Sequence, residues 1–208
     1  MIAFITSINA SSQTDRVLSD YFPEKQDPNR IVDSRHLFSL NFTNPLDTVV
    51  ALRYFFDNDS RNMHFMYEAF NMDDNTYTLV PYIRIVYLLY RIKKQDVYLL
   101  AYGLENHIYI AIFDYRSGRI ENTFIVVSDS DFADTSRRST IFPNGHIVTV
   151  ELSERAYYIL TKIDYSSRRF IELKRIEADG NQSDRRLMDS AFEALGISRE
   201  GDLLQPNQ

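Results

Sequence analysis

Slid against itself by 50 residues, the second half of the chain falls into register without a gap. Residues 107–119 (HIYIAIFDYRSGR) land on 157–169 (YYILTKIDYSSRR), which sets Asp114 and Tyr115 on Asp164 and Tyr165, Ser117 on Ser167, and Arg119 on Arg169. The same offset sets 97–102 on 147–152 and 89–92 on 139–142, so apolar stretches meet apolar stretches and polar turns meet polar turns. Side chains in these stretches alternate with period two, the pattern of strands with one face buried. The expectation is an antiparallel meander of two four-stranded units of about 50 residues each, covering about 83–127 and 133–177.

In unit length and strand count each unit resembles a propeller blade of the kelch size class. Closing a propeller takes about four or more blades. Two units therefore leave several readings open: an open stack with a third sheet from residues 31–81, a two-sheet sandwich, or a piece of a longer protein. Fourteen Tyr, fourteen Phe and only six Gly favour strands over flexible loops, so the fold class expected is mainly β. A chain of 208 residues buries roughly 70% of its unfolded surface, enough for a real core.

Outside the meander, residues 14–22 read as a short helix capped by Thr14 and stopped by Pro23. Residues 23–30 (PEKQDPNR) read as a linker, because two prolines among four charges continue neither helix nor central strand. Residues 36–42 alternate well enough for a strand. Asn44 and Pro45 resemble the start of a helix over 45–56, and 63–70 and 76–81 read as strands around the turn 71–75. A helix over 184–195, with Ser183 as N-cap and Gly196 as C-cap, would dock Leu187, Met188, Ala191, Phe192 and Leu195 on the sheet. The domain layout expected is an N-terminal arm or residual signal segment over 1–30, one β-rich domain over 31–197, and a frayed tail over 198–208.

The first ten residues are apolar without a basic start. They read either as a first strand or as the end of a signal peptide whose upstream part is missing, which would favour a bacterial periplasm or cell envelope over the cytoplasm. No stretch approaches the ~20 apolar residues of a membrane span. The formal charge of −6 argues against a nucleic-acid partner, because phosphate affinity needs a net basic surface. Arg137-Arg138, Arg168-Arg169 and Arg185-Arg186 read as solvated pairs.

The absence of Cys excludes disulfides, thiolate metal sites and cysteine nucleophiles. No phosphate-binding glycine loop and no G-x-S-x-G elbow occurs, so no cofactor is expected and no catalytic residue stands out. His36, His64, His107 and His146 lack ligand spacing, although His107 and His146 become neighbours if the units pack side by side. Three acidic loops carry alternating oxygen donors that suit a cation: Asp57 with Asp59, Asp73 with Asp74, and Asp129 with Asp131 and Asp134, the last being the best of them. Solvated turns account for the same residues. Glu68, Glu105, Glu151 and Glu154 sit at strand ends or turns, where exposure explains them.

The Asp-Tyr turns at Asp114, Tyr115, Asp164 and Tyr165 are the distinctive local feature. An Asp ending a strand accepts hydrogen bonds from the turn amides while the Tyr packs over the hairpin. Strand tyrosines can also form flat surfaces for protein or glycan ligands. The function expected is thus a non-enzymatic β-rich binding or scaffolding module. Its rivals are a glycan-acting hydrolase using a carboxylate pair and a cytosolic inhibitor or immunity-type partner protein.

Overall fold

The computed structural model describes residues 30–40, 42, 66–72, 75–92, 95–104, 106–128, 136–178 and 184–204. Outside them lie the expectations for the N-terminal strand or signal, the helices at 14–22 and 45–56, the loops at Asp57, Asp73 and Asp129, His64, and the N-cap Ser183.

The chain is mainly β. Eight consecutive strands form a meander in one antiparallel sheet: β4 (Ile83–Ile92), β5 (Val97–Leu104), β6 (His107–Asp114), β7 (Arg119–Ser128), β8 (Ser136–Ile141), β9 (His146–Leu152), β10 (Ala156–Asp164) and β11 (Arg169–Ala178). They lie in sequence order with β4 and β11 at the two ends, so the sheet is not closed. A separate two-stranded sheet pairs β2 (Met66–Asn71) with β3 (Thr76–Pro81), around the turn expected there.

The meander has a seam. Among the described residues β7 meets β8 at two positions, Val127 opposite Arg138 and Ser128 opposite Arg137. Further along the same edge of β8, the short strand β1 (Val32–Asp33) takes over, with Val32 opposite Ile141 and Asp33 opposite Thr140. Ser34 continues this docking, its hydroxyl donating to the Ser139 carbonyl at 3.0 Å and accepting from the Ser139 amide at 2.9 Å.

Helix α1 (Ser34–Ser39) occupies most of the stretch expected as a strand over 36–42. The correction has a local cause: Asp33 is extended and its Oδ1 accepts from the His36 amide at 2.8 Å, an N-cap that turns the chain into a helix. The apparent alternation then serves a helical turn, which buries Leu37 completely.

On the second half lies helix α2 (Asp184–Leu195), with the bounds expected from its pattern. Leu187, Ala191 and Leu195 pack on Val148, Val150, Tyr158 and Leu160. Its C-terminus closes with the Gly196 amide on the Glu193 carbonyl and the Ile197 amide on the Phe192 carbonyl, Gly196 having φ +71. Residues 198–204, expected to fray, are instead tied down. Ile197 bridges to Leu203, Leu204 donates to the Gly196 carbonyl, and Gly201 lies so close to the Phe142 ring that a Cβ there would sit 2.4 Å from it.

The core is organised by alternation. In the first half, Val97, Leu99, Ala101, Ile108, Ile110 and Ile112 point into a cluster that also holds Ile141, Ile147 and Ile163 of the second half. The 50-residue counterparts of Ile108 and Ile110 are Tyr158 and Leu160, and these point the other way, under α2. Across the seam Val127 of that core stands opposite Arg138, and Arg138 stands opposite Val150 under α2, so the two halves bring opposite faces of the sheet to their common core. The other face of the first half carries Tyr98, Leu100, Tyr102, Ala111 and Phe113.

The 50-residue spacing is kept at the ends of the hairpins β6–β7 and β10–β11, where Asp114 pairs with Arg119 and Asp164 with Arg169, while the bulges further along fall at different places. One strand earlier it slips. Ile112 faces Leu99, whereas Lys162 faces His146 and not Thr149, a displacement of three residues that a gap-free comparison cannot register.

Candidate functional site

The two Asp-Tyr turns share one set of bonds. Asp114 Oδ1 accepts from the amides of Arg116 at 2.8 Å and Ser117 at 3.1 Å. Asp164 Oδ1 accepts from the amides of Ser166 at 3.0 Å and Ser167 at 3.3 Å. Each turn ends on a left-handed residue, Gly118 at φ +69 and Arg168 at φ +58. Glycine takes that conformation freely, whereas arginine there bears a steric cost of roughly 1–2 kcal/mol.

The side chain of Arg168 shows what holds it there. Its guanidinium reaches across to the first half, where Nε and a terminal nitrogen both donate to Asp114 Oδ2 at 2.8 Å. The remaining donors meet the carbonyls of Gln95, Tyr165 and Ser166. Both partners of the ion pair are largely shielded, at 22% and 14% side-chain exposure. Burial opposes ionisation of Asp114, but the turn amides and the Arg168 guanidinium outweigh it and hold the carboxyl below the ordinary carboxylate value. At Asp164 the Ser167 hydroxyl, 2.6 Å from Oδ2, and the turn amides lower it likewise without an arginine across the seam.

The tyrosines diverge. Tyr115 joins the outer cluster of the first half, edge-on to Tyr98 with ring centroids 5.7 Å apart. Tyr165 packs into the core shared by the halves. Its hydroxyl is buried and meets no hydrogen-bond partner among the described residues. Tyr90 lies beside it and donates its own hydroxyl to the Arg30 carbonyl. Burial pushes both phenols far up from the usual value.

A second polar cluster crosses β8 to β11. Glu151 is only 8% exposed, contrary to the exposure expected for it, and lies between two arginines. Arg137 Nε donates to it at 2.7 Å and Arg175 at 3.2 Å. Arg175 also binds Glu172, which lowers the Glu172 carboxyl, and stacks over Tyr157. Arg137 and Arg168, read as solvated, are thus structural. Arg138 donates to the Ser128 carbonyl at 2.8 Å and stands over Phe38.

The histidines have separate surroundings. His107 stands on β6 opposite Leu104 and Ser128, edge-on to Tyr109. His146 stands on β9 opposite Lys162, with Nδ1 donating to the Gly201 carbonyl at 2.8 Å. Burial and the nearby Lys162 lower its pKa, against the Gly201 carbonyl and Asp202. Among the described residues no three His, Asp or Glu side chains gather in a way that would hold a metal ion. Among them, too, no helix is long and apolar enough to cross a membrane.

The structure thus brings Asp114 and the Asp164 turn together through Arg168, and separates Tyr115 from Tyr165. Sequence reasoning missed Arg168, Glu151, Arg137 and Arg175. For Arg168 one signal was present: a bulky residue standing where the matched turn has Gly118. Compared with family models, with curated proteins and with solved structures, the chain matches none.

Proposed function

We propose that the chain is a non-enzymatic binding or scaffolding module, built from two copies of one blade-like unit stacked in the same sense and capped by α2. The observation that carries this reading is the division of side chains between interior and surface. Asp114, Arg168, Glu151, Arg175 and His146 are engaged by partners within the fold, while Ile171, Leu173, Leu203 and Leu204 stand exposed. A carboxylate held by arginine is a poor proton donor, whereas apolar side chains beside an open strand edge are the chemistry of a protein-binding surface. The shared bonding of the two turns and the same-sense stacking support descent from one repeated unit.

The test uses the full chain, immobilised against peptide and glycan panels. Saturable binding that weakens at least tenfold in Leu173→Lys is the expected result. Release of reducing sugar from a polysaccharide, abolished by Glu151→Gln, would overturn the reading. The hydrolase alternative has one observation in its favour: Arg175 bridges two carboxylates, Glu151 and Glu172. Against it, Glu172 is held ionised by that arginine, the opposite of what a general acid needs.

A further inference from the structure

We propose that β11 is a dimerisation edge and that its partner is β11 of a second copy of this chain, running antiparallel about a two-fold axis between Leu173 and Lys174. The proposal rests on the binding-module reading and names the partner at its open edge. β11 is the last strand of the sheet, and among the described residues no strand lies on its outer side. Two of its apolar side chains face solvent, Ile171 at 41% and Leu173 at 49% exposure.

A bulge sets the register. Leu160 faces Lys174 and Thr161 faces Glu172, so Leu173 has no counterpart on β10. Consecutive residues of such a bulge leave the sheet on one face. The clusters agree with this: Phe170 packs in the core between the halves and Ile176 packs under α2, opposite faces for two residues that unbroken alternation would put on the same one. Phe170, Glu172, Arg175 and Glu177 thus share the core-side face, and Ile171, Leu173, Lys174 and Ile176 the α2 side.

An axis between Leu173 and Lys174 then sets Ile171 opposite Ile176 of the second copy and Glu172 opposite Arg175 of the second copy, each pair on a common face and each occurring twice. An axis on Leu173 itself would oppose Glu172 to Lys174, whose side chains leave on different faces. The register the bulge allows is therefore also the one that matches apolar with apolar and acid with base. Charge does not blunt this edge in the usual way. The Lys174 ammonium is drawn onto the Ala194 carbonyl of α2 at 3.0 Å, and Arg175 is neutralised by Glu172 and Glu151.

Sedimentation equilibrium of the full chain into the high micromolar range reads the association. The wild type should approach twice the monomer mass, and Ile171→Lys should remain at the monomer mass with an unchanged far-ultraviolet circular dichroism spectrum. A cross-link gives an independent reading, since the natural chain has no cysteine. Strand spacing and rise put the two copies of residue 173 about 6 Å apart across the axis, within disulfide reach. Leu173→Cys should therefore form a covalent dimer on mild oxidation, and Ser153→Cys, in the exposed turn between β9 and β10, should not. A wild type that stays monomeric, an Ile171→Lys variant that still dimerises, or equal cross-linking at the two positions would overturn the proposal. Each of these leaves the binding reading intact, because hydrolytic turnover is the separate result that overturns that one.

Discussion

The Asp114 turn and the Asp164 turn are made by the same carboxylate-to-amide bonds, yet they stand in different surroundings. The first receives an arginine from the second, and its tyrosine packs outward; the second receives none, and its tyrosine enters the common core. The difference follows from which face each half turns to the common core. Positions matched in sequence thus meet different neighbours, so the same local bonds acquire unequal importance. Local bonding forms each hairpin, and its surroundings in the fold decide what the hairpin contributes to stability.

Truncating the tyrosines should separate the two most widely. Tyr165→Ala removes a ring from the core between the halves and should cost about 3 kcal/mol, whereas Tyr115→Ala, at the outer cluster, should cost about 1 kcal/mol. Urea unfolding of both variants checks this. Equal losses would mean that the halves are independent of their order.

The carboxylates come next. Asp114→Asn weakens a shielded, charge-assisted contact and should cost about 2 kcal/mol by the same measurement. Asp164→Asn should cost less, because its carboxylate is exposed and bonded only within its own turn. A larger loss at Asp164 would contradict the assignment of Arg168 as the link between the halves.

How much of this was legible in the sequence depends on the range of the cause. Period-two alternation and polar turns located the strands of the meander, and the amphipathic run before Gly196 located α2, because those signals are local. The strand expected at 36–42 became α1 through one side chain just before it, Asp33, whose cap outweighs a short alternation. Alternation tells which residues share a face and is silent on what that face meets, so the opposite use of faces by Ile110 and Leu160 had no sequence signal. The contact from Arg168 to Asp114 spans 54 residues and depends on how the two halves meet. The bulge at Leu173 is likewise a matter of register, which composition does not encode.

Acid titration sharpens the comparison further. Both turn carboxylates are held below the ordinary value, so the unfolded chain binds their protons first as pH falls. Their stabilisation is present above a carboxylate pKa of about 4 and is lost as pH drops through the folded values. His146 adds an earlier step, together with His36 of α1, whose pKa is likewise lowered by burial and by Arg30, and the spatial counterpart of His146 in the first half is Leu99. Its folded pKa is lowered, so its contribution is present above about 6.5 and is lost as pH falls toward the folded value. The urea midpoint followed from pH 7 to pH 3 should therefore fall in two stages. His146→Gln should reduce the upper stage to the share of His36, and Asp114→Asn should reduce the lower to the share of Asp164 and Glu172, and an unchanged lower slope in Asp114→Asn would count against its paired state.

The smallest effect is expected from removing a single oxygen. The Tyr165 hydroxyl is buried and meets no hydrogen-bond partner among the described residues, so the folded state bears its desolvation without a compensating bond. Tyr165→Phe keeps the ring packed in the shared core and relieves that penalty, which should leave stability unchanged or raise it by up to about 1 kcal/mol. Tyr90, beside it, should respond oppositely: Tyr90→Phe loses the bond to the Arg30 carbonyl and should cost about 1 kcal/mol. Unfolding midpoints of the two variants in one buffer decide the matter, because two neighbouring phenols then move in opposite directions. A clear loss in Tyr165→Phe would show that its hydroxyl holds a bond in solution, and the core between the halves would then be wetter than its apolar lining implies.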